Sequence, residues 1–135
     1  EYRNSKQIKM TEIQNSKQGN QKQYDLEERS LEFAKNVRIF VKKLPKTTGN
    51  FEDGKQLVRS SGSIGANYIE ANESLSKKDF VMRVKIARKE AKETQYWLNL
   101  IDTNNDHNLE TECTSLTKEC QELKLILSSI LQKSE

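Results

Sequence analysis

Apolar residues return at steps of three and four along most of this chain, and the places where the rhythm breaks divide it into four helical segments. The first runs from Tyr24 to Leu44, where Leu26, Ser30, Phe33, Val37, Phe40 and Leu44 line one stripe and Ala34 and Val41 widen it. Pro45 ends this segment, because it cannot donate the i→i−4 bond and it biases Leu44 away from the helical region. Lys46 to Asp53, with Thr47, Thr48, Gly49 and Asn50, reads as a connecting loop. The second helix is expected from about Asp53 or Gly54 to Asn72. Its main stripe is Leu57, Ser61, Ile64, Tyr68 and Ala71, closing near Leu75, and a parallel stripe reads Val58, Gly62, Gly65 and Ile69. Interior glycines cost a helix about 1 kcal/mol each against alanine, so the small residues from Ser60 to Ala66 make sense where another helix approaches closely. An anion-binding glycine loop is disfavoured, since no strand precedes the Gly-x-x-Gly spacing.

Ser76 with Asp79 three residues on is an N-cap signature for the third helix, which is expected to reach about Ile101. Phe80, Val84, Ala87, Ala91, Thr94, Leu98 and Ile101 form an unbroken stripe, and Met82, Ile86, Trp97 and Leu100 add a second flank. An Asp- and Asn-rich turn follows. The last helix, about Leu109 to Leu131, carries Leu109, Cys113, Leu116, Cys120, Leu123, Leu127 and Ile130 at heptad positions. Short links between four such helices predict an all-α fold, an up-down-up-down antiparallel four-helix bundle over residues 24–131. Residues 1–23 read as a polar tail or frayed helix, and 132–135 as a C-terminal tail.

Composition agrees with a thin-cored helical domain. Hydrophobic residues make up 33% and charged residues 32% of the 135, against roughly 45–50% (glycine included) and about 25% in ordinary soluble domains. Five glycines and one proline are too few for the turns of a sandwich, barrel or doubly wound fold. No apolar run is long enough for a membrane span, and the N-terminus lacks the apolar core of a secretory signal. Cys113 and Cys120, seven residues apart, stand about 10 Å from each other on a helix, too far for a disulfide. A cytoplasmic protein is the expectation.

Charge is unevenly spread. Residues 35–59 carry seven basic against two acidic residues, residues 77–92 again seven against two, and residues 99–135 three against seven. The middle elements are positive and the last helix acidic. Lys35, Arg38 and Lys42 share a face of the first helix, and Lys78, Lys85, Lys89 and Lys92 a sector of the third. These are the candidates for nucleic-acid binding, by backbone charge and shape rather than base reading, since no zinc finger, RNA-binding aromatic motif or convincing helix-turn-helix is present. The plain alternative is a solvated charged face.

Residues suited to reactive chemistry are few. His107 is the sole histidine, in a polar turn without a positioned partner. Both cysteines sit at core positions and read as small hydrophobes. No Glu-x-x-His pair supports a di-iron site, and Glu90, Glu93 and Glu70 are better used in salt bridges to Arg59, Arg83 or Arg88 than on a metal. The reading assigns no catalytic residue, no metal and no cofactor: the protein is not expected to be an enzyme.

Several blocks in order carry a resemblance: Asp25-Leu26-Glu27-Glu28-Arg29, Phe33-Ala34, Leu44-Pro45-Lys46, the run from Gln56 to Ala71, Ser76 to Phe80, and Ala87 to Leu98. Through them, over about residues 24–131, the chain resembles the small bundle proteins encoded in intervening sequences of bacterial 23S ribosomal RNA genes, also labelled the S23 ribosomal protein family. The resemblance implies an antiparallel four-helix bundle assembled as a ring-like homopentamer, and no enzymatic activity. It is also similar in fold to the accessory variability determinant of diversity-generating retroelements, a basic pentameric barrel that binds nucleic acid and partners a reverse transcriptase. That last partner is implied only where a reverse-transcriptase gene lies nearby. Within the most family-like block, Arg59, Asn67 and Glu70 are expected to be structural, as are Glu90 and Trp97. Arg59 and Glu70 lie eleven residues, about 16 Å, apart on one helix, so their partners must come from the third helix or another copy. The expected function is weak, non-specific binding of RNA or DNA. The competing expectation is a structural or protein-interaction scaffold with no nucleic-acid role.

Overall fold

The computed structural model describes residues 26–134, and the tail expected at 1–23 lies outside them. Among the described residues there are four helices and no strand: α1 (Leu26–Lys42), α2 (Thr48–Asn72), α3 (Lys77–Leu100) and α4 (His107–Ser134). The packed pairs are α1–α2, α2–α3, α3–α4 and α4–α1, so the bundle closes on itself. Side-chain pairings give the directions. Gly54 faces Val41 while Gly65 faces Ser30; Arg59 meets Glu93 while Asn67 meets Arg83. Cys113 meets Leu98 while Cys120 meets Ala91, and Lys43 meets Glu112 while Arg29 meets Glu119. In each pair one partner descends as the other climbs, so all four seams are antiparallel.

The stripes are the core. Phe33, Val37 and Phe40 of α1, Leu57, Ile64 and Tyr68 of α2, Phe80, Val84 and Leu98 of α3, and Cys120, Leu123 and Leu127 of α4 are all buried. Ser60 and Thr94, also buried, join hydroxyls across the α2–α3 seam at 2.8 Å, which satisfies two polar groups inside an apolar layer.

Boundaries differ from the expectation in five places. α1 stops at Lys42, and Lys43 and Leu44 follow in a tighter turn whose amides bond back to Phe40 and Val41; Leu44 remains buried. α2 begins at Thr48, five residues early, because the Thr47 hydroxyl caps it by accepting from the Asn50 amide at 3.1 Å. Leu75 does not close the α2 stripe: it lies in the turn, fully exposed. α4 starts at His107, where the Asp106 carboxylate accepts from the Leu109 amide, and it runs through Ser134 in place of a tail at 132–134, since Leu131 and Ser134 continue the buried face. The Ser76 cap forms as expected, accepting from the Asp79 amide at 3.1 Å.

Asn50 fastens one end of the bundle. Its Nδ2 donates to the Pro45 and Asp102 carbonyls at 3.1 and 2.8 Å, and its Oδ1 accepts from the Asp102 amide at 2.9 Å. One side chain thereby ties the α1–α2 connection to the α3–α4 turn, where Asn104 and Asn105 take left-handed backbone angles that asparagine tolerates.

The glycines of α2 are not equivalent. A Cβ at Gly65 would stand 2.7 Å from the Ser30 hydroxyl and 3.3 Å from its Cβ, whereas one at Gly62 would meet only the Arg38 guanidinium, at 3.4 Å. Gly65→Ala is expected to cost up to about 2 kcal/mol, an overpacking penalty of about 1–3 less about 1 gained in helix propensity. Gly62→Ala should match or exceed the parent by up to about 1 kcal/mol. Urea midpoints compare the two, and equal midpoints would rule out the close α1–α2 approach as the reason for Gly65.

Candidate nucleic-acid interface

The periodicity that buries one stripe of each helix fixes what the opposite side presents. On α3, Lys78, Lys85, Lys89 and Lys92 are all exposed. They share one outer face about 21 Å long at 1.5 Å per residue, and none has a carboxylate partner among the described residues. Val81, Met82 and Ile86 lie between these lysines, with Met82 47% exposed. On α1, Lys35, Arg38 and Lys42 are exposed as well. Arg38 is the most constrained: its Nη1 donates to the Ala34 carbonyl at 3.2 Å, and its guanidinium lies across Gly62 of α2.

The structure does not bring these two faces together within one chain. α1 and α3 are diagonal members of the bundle, each packed on α2 and α4. A ligand lying on the lysines of α3 is therefore separated from the cations of α1 by the body of the domain.

Other cations are engaged. Arg29 makes a two-pronged bond to Glu119 at 2.7 and 2.9 Å, which raises its own pKa, and Lys43 reaches Glu112 at 2.8 Å. Arg59 spans the α2–α3 seam to Glu90 at 3.3 Å and Glu93 at 3.0 Å, and the Glu90 side chain is largely buried. Asn67 donates to the Ser63 carbonyl and accepts from Arg83. Glu70 is exposed, and its carboxylate meets no cation among the described residues. The Trp97 ring packs partly buried against the core, edge-on to the exposed Tyr96 at 5.1 Å, with its Nε1 unpartnered among the described residues.

The remaining candidates for chemistry have ordinary surroundings. Cys120 is buried and donates to the Ala91 carbonyl at 3.1 Å, and burial pushes its pKa up to about 12. Burial also raises the pKa of the half-exposed Cys113. Such thiols stay protonated and are poor nucleophiles at neutral pH. His107 is exposed at the start of α4. No group of three His, Cys, Asp or Glu residues among the described ones is placed to hold a metal ion, and no helix among them is long and apolar enough to cross a membrane.

One surface was not anticipated. Leu31 of α1 and Phe51 and Ile69 of α2 are exposed to 54, 66 and 46%, and they line two hollows that together form a groove along the α1–α2 seam, Phe51 the first and Leu31 and Ile69 the second. Its signal in the sequence is the second α2 stripe, Val58-Gly62-Gly65-Ile69, of which only Gly65 is fully buried.

Comparison with known proteins is consistent with the helical architecture. A solved structure from Bacteroides thetaiotaomicron, described as a protein of unknown function from the S23 ribosomal protein family, superposes with a TM-score of 0.70 at 36% identity over 79% of this chain and 95% of that one. No curated protein matches. Neither the family nor the fold points to a particular enzymatic chemistry. Residues 22–129 match the family of 23S rRNA-intervening sequence proteins, and with four antiparallel helices in the same arrangement the chain belongs to that family.

Proposed function

We propose that this protein is a non-enzymatic, cytoplasmic, homo-oligomeric bundle that binds RNA or DNA weakly and without sequence preference. The observation that carries the reading is the outer face of α3, where Lys78, Lys85, Lys89 and Lys92 stand exposed and without carboxylate partners. Backbone phosphates are the ligand such a row suits, because each neutralised phosphate releases a counterion. The number five for the assembly comes from the family resemblance. Lys35, Arg38 and Lys42, being diagonal to α3, would join the same ligand only from a neighbouring copy. Repetition of a modest patch around a ring adds valency without raising the charge of any one chain. A role beside a reverse transcriptase enters only where such an enzyme is encoded nearby.

Fluorescence anisotropy against unrelated RNA and DNA, duplex and single-stranded, tests this. With about four phosphates engaged per face, affinity should fall about a hundredfold between 50 and 200 mM salt. Lys85→Glu with Lys89→Glu should weaken binding to every probe and flatten that dependence. No binding at low salt would end the nucleic-acid reading, and a solution mass near 15.7 kDa would end the oligomer.

A further inference from the structure

The α1–α2 seam carries two hollows whose linings mix apolar side chains with cations, and their chemistry is distinct from that of the α3 lysine row. On α2 it is walled by Phe51, Val58 and Ile69, and the Arg38 guanidinium reaches over Gly62 between its two separate hollows. Phe51 to Ile69 covers about 27 Å of helix at 1.5 Å per residue, the length of an 18-residue helix laid alongside. Two hollows of about 700 and 360 Å³ lie along it. Lys46 and Lys55 line the first, and Lys35 and Arg38 the second. The one carboxylate in either lining, Glu27, is already engaged by Asn72 at 2.7 Å. Lys55 also lies 4.9 Å from the Phe51 ring centroid and 3.4 Å from Glu52.

We propose that this groove docks an amphipathic helix of another protein, one with bulky apolar residues on the buried face and carboxylates on both flanks. Exposed aromatic and aliphatic side chains recognise such a face by burial, and the cations select the sign of its flanks. Charge argues against α3 and residues 1–25 as occupants, and α4, though acidic, exposes only Leu125 among its large apolar side chains. The apolar patch of α3 around Met82 and Ile86 is bordered by Lys78, Lys85 and Lys89, so presenting it to this rim sets cation against cation. Groove against groove does the same. Residues 1–25 carry five basic and three acidic residues and have the wrong sign too. Phosphate needs no apolar wall, so nucleic acid leaves Leu31, Phe51 and Ile69 unexplained.

The probe is a labelled synthetic 18-residue helix with leucines on one face and glutamates on its flanks, alongside a twin with lysine flanks, titrated against the full chain. The glutamate peptide should bind at micromolar concentration and the lysine twin at least tenfold more weakly. Phe51→Ser with Ile69→Ser should weaken the glutamate peptide at least tenfold while the thermal melt stays in place. Lys35→Glu with Arg38→Glu should remove the preference. Lys85→Glu with Lys89→Glu should leave peptide binding intact, which separates this site from the nucleic-acid reading. Equal binding of the two peptides, or undiminished binding by the Phe51/Ile69 variant, would overturn the proposal. A fall in solution mass in that variant would assign the groove to a second copy. Displacement of the glutamate peptide by duplex RNA at physiological salt would assign it to nucleic acid.

Discussion

Asn50→Ala is expected to lower the unfolding free energy by about 3 kcal/mol, from three hydrogen bonds lost at roughly 1 kcal/mol each. The bonds differ in consequence. Truncation leaves the Asp102 amide and the Pro45 and Asp102 carbonyls without the partner that Asn50 supplies, and Asn50 itself is buried, so water replaces it poorly. The neighbouring Glu52→Ala removes only an exposed pair with Lys55 and should stay within about 0.5 kcal/mol of the parent. Chemical denaturation of the three chains measures both. An Asn50→Ala chain as stable as Glu52→Ala would mean that the two connections are not fastened through this side chain.

Alkaline pH is expected to destabilise the bundle through Cys120. An unfolded cysteine has a pKa near its ordinary value of 9.0, whereas the folded one is pushed up to about 12. Between those values the folded state keeps a proton that the unfolded state gives up, so stability is full below pH 9 and falls as pH rises. The slope from this residue is about 1.4 kcal/mol per pH unit, reaching about 4 kcal/mol near pH 12. Cys113 acts in the same direction. The informative quantity is the difference between the parent and Cys120→Ala, since alkali acts on the rest of the chain alike in both. The Ala chain should start less stable, for the small cavity it creates, and then lose stability less steeply above pH 9. Parallel curves would show that the thiol ionises in the fold as easily as outside it.

The helices were legible because each carries a continuous apolar stripe that only a 3.6-residue period explains: Phe80 to Leu98 on α3 is buried as read, and so is Leu116 to Ile130 on α4. Ser76 announced its cap by its distance to Asp79. Thr47 hid its own, because Thr48, Gly49 and Asn50 are residues that turns favour and the first turn of a helix tolerates. Asn50 could not be found at all, since its bonds run to a loop 52 residues away. The basic faces illustrate a different limit. Spacing tells which cations share a face of one helix, but not which helices adjoin, and it is the order of packing that sets α1 diagonal to α3. For Glu70, the α3 side chains opposite were already committed: Arg83 bonds Asn67, and Glu90 and Glu93 face Arg59. The groove went unread because its apolar residues come from two helices and form one surface only after they pair.

The four seams also differ in what holds them. α2 and α3 share the most extensive contact, with the Ser60–Thr94 hydroxyl pair inside it, while α1 and α4 share the sparsest and are bridged at their edges by Arg29–Glu119 and Lys43–Glu112. That closure joins residues 90 and 69 apart in the chain, the longest loops the fold must shut and the last to be recovered in free energy. The molecule is in effect a central hairpin with a flap on each side, latched by charge. Parting the latch exposes the core along one line while leaving the α2–α3 hairpin whole, and salt loosens it by screening the partly exposed pairs. The first opening expected of the native state is therefore a swing of the first helix away from the last.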